Sequence, residues 1–328
     1  MKRPRAQQGA ALLTAMLTVT LVATYAATSL WQQSRGLEVE AAERARSQQA
    51  WVLIGALDWA RLILREDARG GAIDHLSEPW ALPLQESRLS SFLSLDSDEA
   101  AQADEVYLSG QISDLQARLN ANNLVLGRQI SEADLQAWRR LYLQLNLPEA
   151  ELAAFAAQLL RASDTQQTTT ASPLPAQRVE HLVWLGLSAR SLAALKPYIT
   201  VLPTRTAVNL NTASAEVIHA SLPNLDMSQA RRLVELRATA AFRSVADALR
   251  ETGQASDRQP VGALGVASRY FEIQGRLRLG STTVRELSVV ERQEQEVRVL
   301  WRQREVVEAT ASALVRTDAA AGGQRPGP

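Results

Sequence analysis

The chain has 328 residues, 35 basic and 35 acidic side chains, 46% hydrophobic content and no cysteine. A formal net charge of zero argues against a bulk electrostatic nucleic-acid binder, which neutralises phosphates with surplus Lys and Arg. His75, His181 and His219 are the only histidines, and with no thiol present they leave little material for a zinc or iron site or a cysteine nucleophile. The length fits one large domain or two modest ones.

Lys2, Arg3 and Arg5 open the chain, and the next charged residue is Arg35. Between them, Ala10 to Leu30 is uncharged and mostly apolar. As a helix this run is about 32 Å long, enough to cross the hydrocarbon core of a bilayer. The basic residues in front favour a cytoplasmic N-terminus. Its threonines can bond back to carbonyls of the preceding turn, which softens the cost of burying them. A secretory signal would be shorter and would end in a small-x-small site, to which Thr24-Tyr25-Ala26 is a poor approach. An ordinary single-span anchor is the plainer alternative. Gly9 adds a detail, because it sits between the basic leader and the apolar run. That order resembles the class III signal of type IV pilins and type II secretion pseudopilins. The resemblance implies cleavage by a prepilin peptidase between Gly9 and Ala10, and methylation of the new N-terminal Ala10. Most such proteins carry Glu at the fifth mature position, where this chain has Thr14. A carboxylate in membrane is costly unless paired, so a subunit with no neighbour's amine to meet has no use for one.

From Trp31 to about Asp67 the pattern continues as a helix. Leu37, Ala41, Arg44 and Gln48 make a poor stripe, whereas Trp51, Ile54, Leu57, Arg61 and Leu64 make a better one. Gly70-Gly71 ends it. Pro79 to Pro83 is a turn or extended connector, since its two prolines forbid a regular helix. Glu105 to Ser113 alternates as a half-buried strand, with Val106, Leu108 and Ile112 on one face. From Ser131 to Gly253 the period is helical, with Ser131 and Ser244 as N-caps. Leu135, Trp138, Leu141, Tyr142 and Leu145 form one stripe, and Leu152, Phe155, Leu159 and Leu160 another. SDTQQTTTASPLP, beginning at Ser163, reads as a polar loop. Alternation then returns over Phe271 to Leu279, Val284 to Val290, and Val297, Val299 and Trp301, which predicts three consecutive antiparallel strands. Residues 308–328 read as disordered.

VNLNTASAEVIHASLPNLDMSQARRLVELR resembles a helix-hairpin-helix. DNA-binding versions use a Gly-rich hairpin that exposes backbone N–H groups to phosphate. Here the hairpin, Leu222 to Met227, has no glycine and places Asp226 where phosphate would sit. Basic and acidic residues nearly balance around it, so the motif reads as packing scaffold. Asn120, Asn122, Asn123, Asn209 and Asn211 suggest either amide-rich ligand recognition or Asx turns and caps, and the second reading is preferred. Asp96, Asp98, Glu99, Asp104 and Glu105 form an acidic cluster without the glycine and terminal Glu of an EF-hand. His181 and His219 fall beside apolar residues on helical patterns. His75 follows Asp74, but no G-x-S-x-G, P-loop or dinucleotide fingerprint accompanies it, so no enzyme is expected.

The order and spread of these elements resemble general secretion pathway protein K, a minor pseudopilin class of type II secretion. The words that carry the likeness are QISDLQARLNANNL at 111–124, PYITVLPTRTAVNLNTAS at 197–214, and the closing RYFEIQGRLRLG and VRVLWRQRE. The resemblance implies an α+β fold: a pilin-like N-terminal helix packed on a small antiparallel sheet, with a large inserted α-helical domain holding the helix-hairpin-helix-like motif. It divides the chain into a leader (1–9), a transmembrane helix (10–30), its continuation (31–69), a first part of the pilin domain (70–124), the inserted domain (125–255), closing strands (256–307) and a tail (308–328). It implies a pseudopilus tip subunit in the cell inner membrane with its globular part in the periplasm. Its partners would be the I- and J-type minor pseudopilins, the pseudopilus and prepilin peptidase, with no nucleic acid. Relatives bind calcium through an Asp-rich loop, and the corresponding loop here offers only Asp164. The alternative is a single-pass periplasmic adaptor whose helical domain binds DNA or peptide.

Overall fold

A computed structural model of the chain describes residues 8–89, 106–164, 173–253, 263–280 and 282–308. The polar loop, the acidic cluster 96–105 and the tail after Glu308 therefore lie mostly or wholly outside the described residues. One helix, α1 (Gln8–Gly70), opens the chain, and its residues divide between two compact units, 1–55 and 56–328. In the first unit the side chains of Leu12, Leu13, Met16, Leu17, Leu21 and Val22 are all exposed.

In the second unit a 3₁₀ turn at Pro79–Ala81 leads to β1 (Leu84–Arg88) and β2 (Val106–Asp114). A mainly helical stretch follows. Short strands β3 (Leu119–Asn120), β4 (Val125–Leu126) and β5 (Gln129–Ile130) precede α2 (Glu132–Gln144) and α3 (Glu149–Ser163). Then come a 3₁₀ segment at Val179–Leu185, α4 (Ala189–Leu195), β6 (Ile199–Thr200) and β7 (Val208–Asn209). The stretch ends in α5 (Ala215–Ser221), α6 (Met227–Thr239), α7 (Val245–Glu251) and β8 (Leu264–Gly265). The closing strands are β9 (Tyr270–Leu279), β10 (Thr282–Gln293) and β11 (Glu296–Glu308).

Five strands make one antiparallel sheet in the order β1-β2-β9-β10-β11. β2 and β9 are direct neighbours, in register from Val106 opposite Leu279 to Asp114 opposite Phe271. The helical stretch is thus an excursion between two adjacent strands of one sheet. Reading alternation alone gives no element at residues 84–88, because Leu-Gln-Glu-Ser-Arg lacks β-branched and aromatic residues. Pairing with β2 makes it a strand.

The sheet is covered on both faces. Leu57, Ala60 and Leu64, at helical spacing on α1, pack with Trp80, Ile112, Phe271, Ile273, Val290 and Val297. Arg61 on the same helix donates to the Val297 carbonyl from Nε (2.9 Å) and Nη2 (2.6 Å). On the opposite face Leu115 and Leu202 pack with Tyr270, Val289, Leu300 and Trp301. Simple alternation puts Val297, Val299 and Trp301 on one face, and this is corrected by the structure. The register shifts between Val289 and Val290, whose partners are Trp301 and Val299, so Leu300 is an extra residue in β11. A bulge of that kind reverses the facing of every later side chain. A separate core within the helical stretch holds Trp138, Leu141, Tyr142, Phe155, Leu182, Leu195 and Ile218.

Where the helical stretch leaves and rejoins the sheet, charged and polar side chains are buried together. Arg292 pairs with Asp74 and, at 2.8 Å, with Asp67, and donates to the Ser268 carbonyl at 3.0 Å. Asp74 accepts from the Ser268 N–H at 2.7 Å. Asp114, at the end of β2, accepts from the hydroxyls of Thr212 and Ser268, from the Gln116 N–H (2.7 Å) and from Asn209 Nδ2 (3.1 Å). Burial pushes the Asp114 carboxyl up to about 6, against the pull of those hydrogen bonds. Asp67 is also pushed up to about 6, by burial first and then by Glu78, despite its bond to Arg292.

Both carboxyls hold protons more tightly folded than unfolded, so their ionisation is a cost at neutral pH that is relieved as pH falls from about 6 towards 4. For Asp114 a shift of about two units corresponds to roughly 3 kcal/mol. Full-length protein in detergent should therefore gain resistance to urea between pH 7 and pH 5, and Asp114→Asn should flatten the gain; an unchanged slope in the variant would contradict this assignment. Arg292→Ala leaves Asp74 buried without its counter-ion and should cost about 3–5 kcal/mol, read from the same unfolding curves.

Candidate functional site: the apolar helix and the helical insert

Among the described residues, one helix is long and apolar enough to cross a membrane. Its hydroxyls are satisfied within the helix. Thr14 Oγ1 donates to the Ala11 carbonyl at 3.0 Å, Thr18 to Ala15 at 2.9 Å, Thr24 to Thr20 at 2.9 Å and Thr28 to Thr24 at 2.9 Å. Such back-bonding removes free donors that lipid could not accept. Gly9 and Ala10 lie in the first turns of the same helix, one turn before Thr14.

The two helices of the hairpin, α5 and α6, are joined by Leu222 to Asp226. Asn224 takes φ +65, the left-handed turn conformation for which glycine is the usual choice. Asp226 is the N-cap of α6. Its carboxylate accepts from the Gln229 N–H at 2.8 Å, while Gln229 Oε1 accepts from the Asp226 N–H at 3.0 Å, closing a capping box. Hydrogen bonds from the Ser228 hydroxyl and the Gln229 N–H hold this carboxyl below the usual range. The helix N-terminus that would receive a phosphate thus carries its own anion. Arg140 and Arg237 are spent on the Ala220 carbonyl (2.8 Å) and the Leu210 carbonyl (2.6 Å).

The asparagines act as internal clamps. Asn120 Oδ1 accepts from the Asn122 and Leu202 N–H groups, at 3.1 and 3.0 Å, and its Nδ2 donates to the Thr204 carbonyl at 2.8 Å. Asn123 accepts from and donates to the backbone of Thr206. Asn209 joins Asp74, Asp114 and Ser268, and Asn211 bonds both backbone groups of Phe242. None of the histidines stands as a base beside a nucleophile among the described residues. His181 stacks on Trp184 at 4.3 Å and accepts from Arg178 Nε, and burial followed by Arg178 lowers its pKa. His219 is lowered by burial and Arg140. His75 Nδ1 accepts from the Ser77 N–H at 3.3 Å.

Asp164 follows α3 and pairs with Arg128 at 2.8 Å. Among the described residues Asp164 joins no cluster of three potential metal ligands, and calcium needs six to eight oxygens. Asp67, Asp74 and Glu78 have carboxylate oxygens within 4.8 Å of one another, but Arg292 already occupies two of them. That junction is the group sequence reading missed. The available signal was Arg292 itself, which falls in phase with Val284, Ser288 and Val290, the inward positions of β10.

Sequence models of one family, described as type II secretion system protein K, match residues 117–204 and 208–267. The chain is 27% identical over 301 residues to type II secretion system protein K of Pseudomonas aeruginosa, covering 84% of this chain and 86% of that one. It is 25% identical over 331 residues to the protein of the same name from Pectobacterium carotovorum subsp. carotovorum, covering 90% and 96%. Its fold is similar to a chain in the crystal structure of the GspK-GspI-GspJ complex from enterotoxigenic Escherichia coli, with a TM-score of 0.60 at 20% identity, over 80% of this chain and 99% of that one. Protein K is a minor pseudopilin, a structural component of the secretion system and not a known enzyme family. With an apolar N-terminal helix, a mixed helix-and-sheet body and these matches, this chain is similar to type II secretion system protein K across most of its length.

Proposed function

We propose that this minor pseudopilin caps the tip of a type II secretion pseudopilus and takes part in protein export across the outer membrane. Thr14 carries the reading. Its hydroxyl is satisfied by the Ala11 carbonyl of its own helix, so the position makes no demand on a neighbour's amine. A glutamate there would make that demand. The helical body supports a terminal place, because a mass inserted between β2 and β9 would obstruct subunits stacked beyond it.

In this reading residues 1–9 are the leader, prepilin peptidase cuts between Gly9 and Ala10, and Ala10 is methylated. Residues 10–30 span the inner membrane and 31–69 continue the pilin-type helix. Residues 70–124 and 256–307 form a pilin-like domain in the periplasm, 125–255 the inserted domain with its helix-hairpin-helix-like motif, and 308–328 the tail. The partners are I- and J-type minor pseudopilins, the kind named in the solved complex whose chain shares this fold. Asp164 is the one residue proposed for calcium, and its ion pair with Arg128 speaks against it.

Three outcomes test the reading. N-terminal sequencing of the mature protein should begin at Ala10, and Gly9→Arg should leave Met1 in place; a mature end near Ala26 would instead indicate a secretory signal. Thr14→Glu should not improve assembly or secretion, since an ionised acid at a helix centre costs about 2.5–3.5 kcal/mol in membrane, less near the interface; improved secretion, or this subunit found repeated along the shaft, would refute the cap. Full-length protein in detergent should bind duplex DNA no better than non-specifically, because Asp226 occupies the anion position of the hairpin. Micromolar binding at physiological salt with a steep salt slope would favour the adaptor alternative.

A further inference from the structure

A cleft of about 750 Å³ lies between the helical insert and the face of the sheet opposite Leu57 and Leu64. Its floor is formed by β9, β10 and β11 and its walls by the insert. Several of its polar groups are already paired. Lys196 pairs with Glu180 at 2.9 Å, and Arg178 donates to Gln303 and His181.

Arg285 on the floor is different. Its Nε is buried and has no hydrogen-bond partner. Its cross-strand neighbours are Arg276 on β9 and Glu305 on β11. Among the described residues neither Arg285, Arg276 nor the wall residue Arg118 makes a side-chain hydrogen bond or an ion pair. Like charges side by side across an antiparallel pair cost stability, and so does a buried donor without an acceptor. A donor in this state is available to an acceptor brought by a ligand.

The shape and charge of the cleft indicate which acceptor. A guanidinium offers a planar fork that a carboxylate meets with two parallel hydrogen bonds. Glu272 and Glu305 line the same cleft, so a continuous polyanion would be repelled while carboxylates set apart from one another would not. Between those charges the floor presents the half-buried Leu287 and Trp301. Alternate residues on one strand lie about 7 Å apart, the repeat of an extended polypeptide laid along them. A volume of this size also falls within the range of ligand-binding clefts, about 300–1,000 Å³.

We propose that this cleft receives an extended segment of a partner polypeptide bearing spaced acidic side chains, with Arg285 and Arg118 as the carboxylate receivers. The proposal rests on reading this chain as an assembly subunit that works through protein contacts.

The test is fluorescence anisotropy on full-length protein in detergent, with a fluorescein-labelled short peptide in which aspartate alternates with valine. Saturable binding is expected. Arg285→Ala and Arg118→Ala should each weaken it by about tenfold or more, Arg285→Lys should not restore it, and Glu305→Ala should tighten it. A peptide with lysine in place of aspartate should not bind, and succinate or inorganic phosphate should not compete. Gly9→Arg protein should bind the peptide normally, so failure of the tip reading leaves this result standing. Wild-type affinity in Arg285→Ala, no tightening in Glu305→Ala, or equal binding of the lysine peptide would overturn the proposal. Full competition by succinate or phosphate would overturn it too, by assigning the cleft to small free anions.

Discussion

Arg292 and Asp74 meet where water is largely excluded from both, and a charge in that setting is stable only while its partner and remaining hydrogen bonds stay in place. Three separated pieces of chain depend on that pair. Arg292 belongs to β10, Asp67 to the last turns of α1, Asp74 to the segment after it, and Ser268 to the approach to β9. Asn209 then carries the network into the helical insert through Asp74, Asp114 and Ser268. A purely apolar contact would tolerate sliding, because hydrophobic burial is non-directional. Hydrogen bonds are directional, so this node sets the angle and register at which the insert meets the sheet.

The cost of such a node explains its surroundings. Asp114 is ionised only against strong desolvation, and four donors converge on it to make that bearable. Asparagine suits the neighbouring positions for the same reason, since its side chain offers both a donor and an acceptor without adding charge. Asn209 and Asn211 use both functions on the backbone and side chains around them. The amide-rich word VNLNTAS is thus a record of backbone groups that needed partners where irregular chain is buried.

How far the fold was legible depended on whether its elements carry a period. α2 and α3 each bury one stripe and their residues declare it, and the closing strands are declared by alternation although β10 is buried on both faces. Residues 84–88 carry no period and became a strand only through β2. Trp301 was misplaced because one extra residue in β11 reverses the pleat, and nothing in Arg-Val-Leu-Trp marks where the bulge falls. The apolar N-terminal run stood out because hydropathy is additive along the chain. The charged node did not, because its members lie far apart in sequence and each looks like a surface residue alone. Arg292 was the exception, a charge on the inward phase of a strand.

Thr14, Asp226 and Arg285 show how the same criterion separates internal from external business. Thr14 stands at the position where a glutamate would call for a neighbour's amine, and its hydroxyl closes on its own helix. Asp226 stands where a phosphate would dock, and its carboxylate caps its own helix. Each position is complete within the chain, and each therefore argues against a charged ligand at that point. Arg285 is the reverse: a guanidinium set by strand pairing between Arg276 and Glu305, with a buried Nε that has no hydrogen-bond partner. Tyr142, Gln144, His219 and Glu286 also carry a buried side-chain atom without a partner, and Arg285 is set apart from them by lining the cleft beside the sheet.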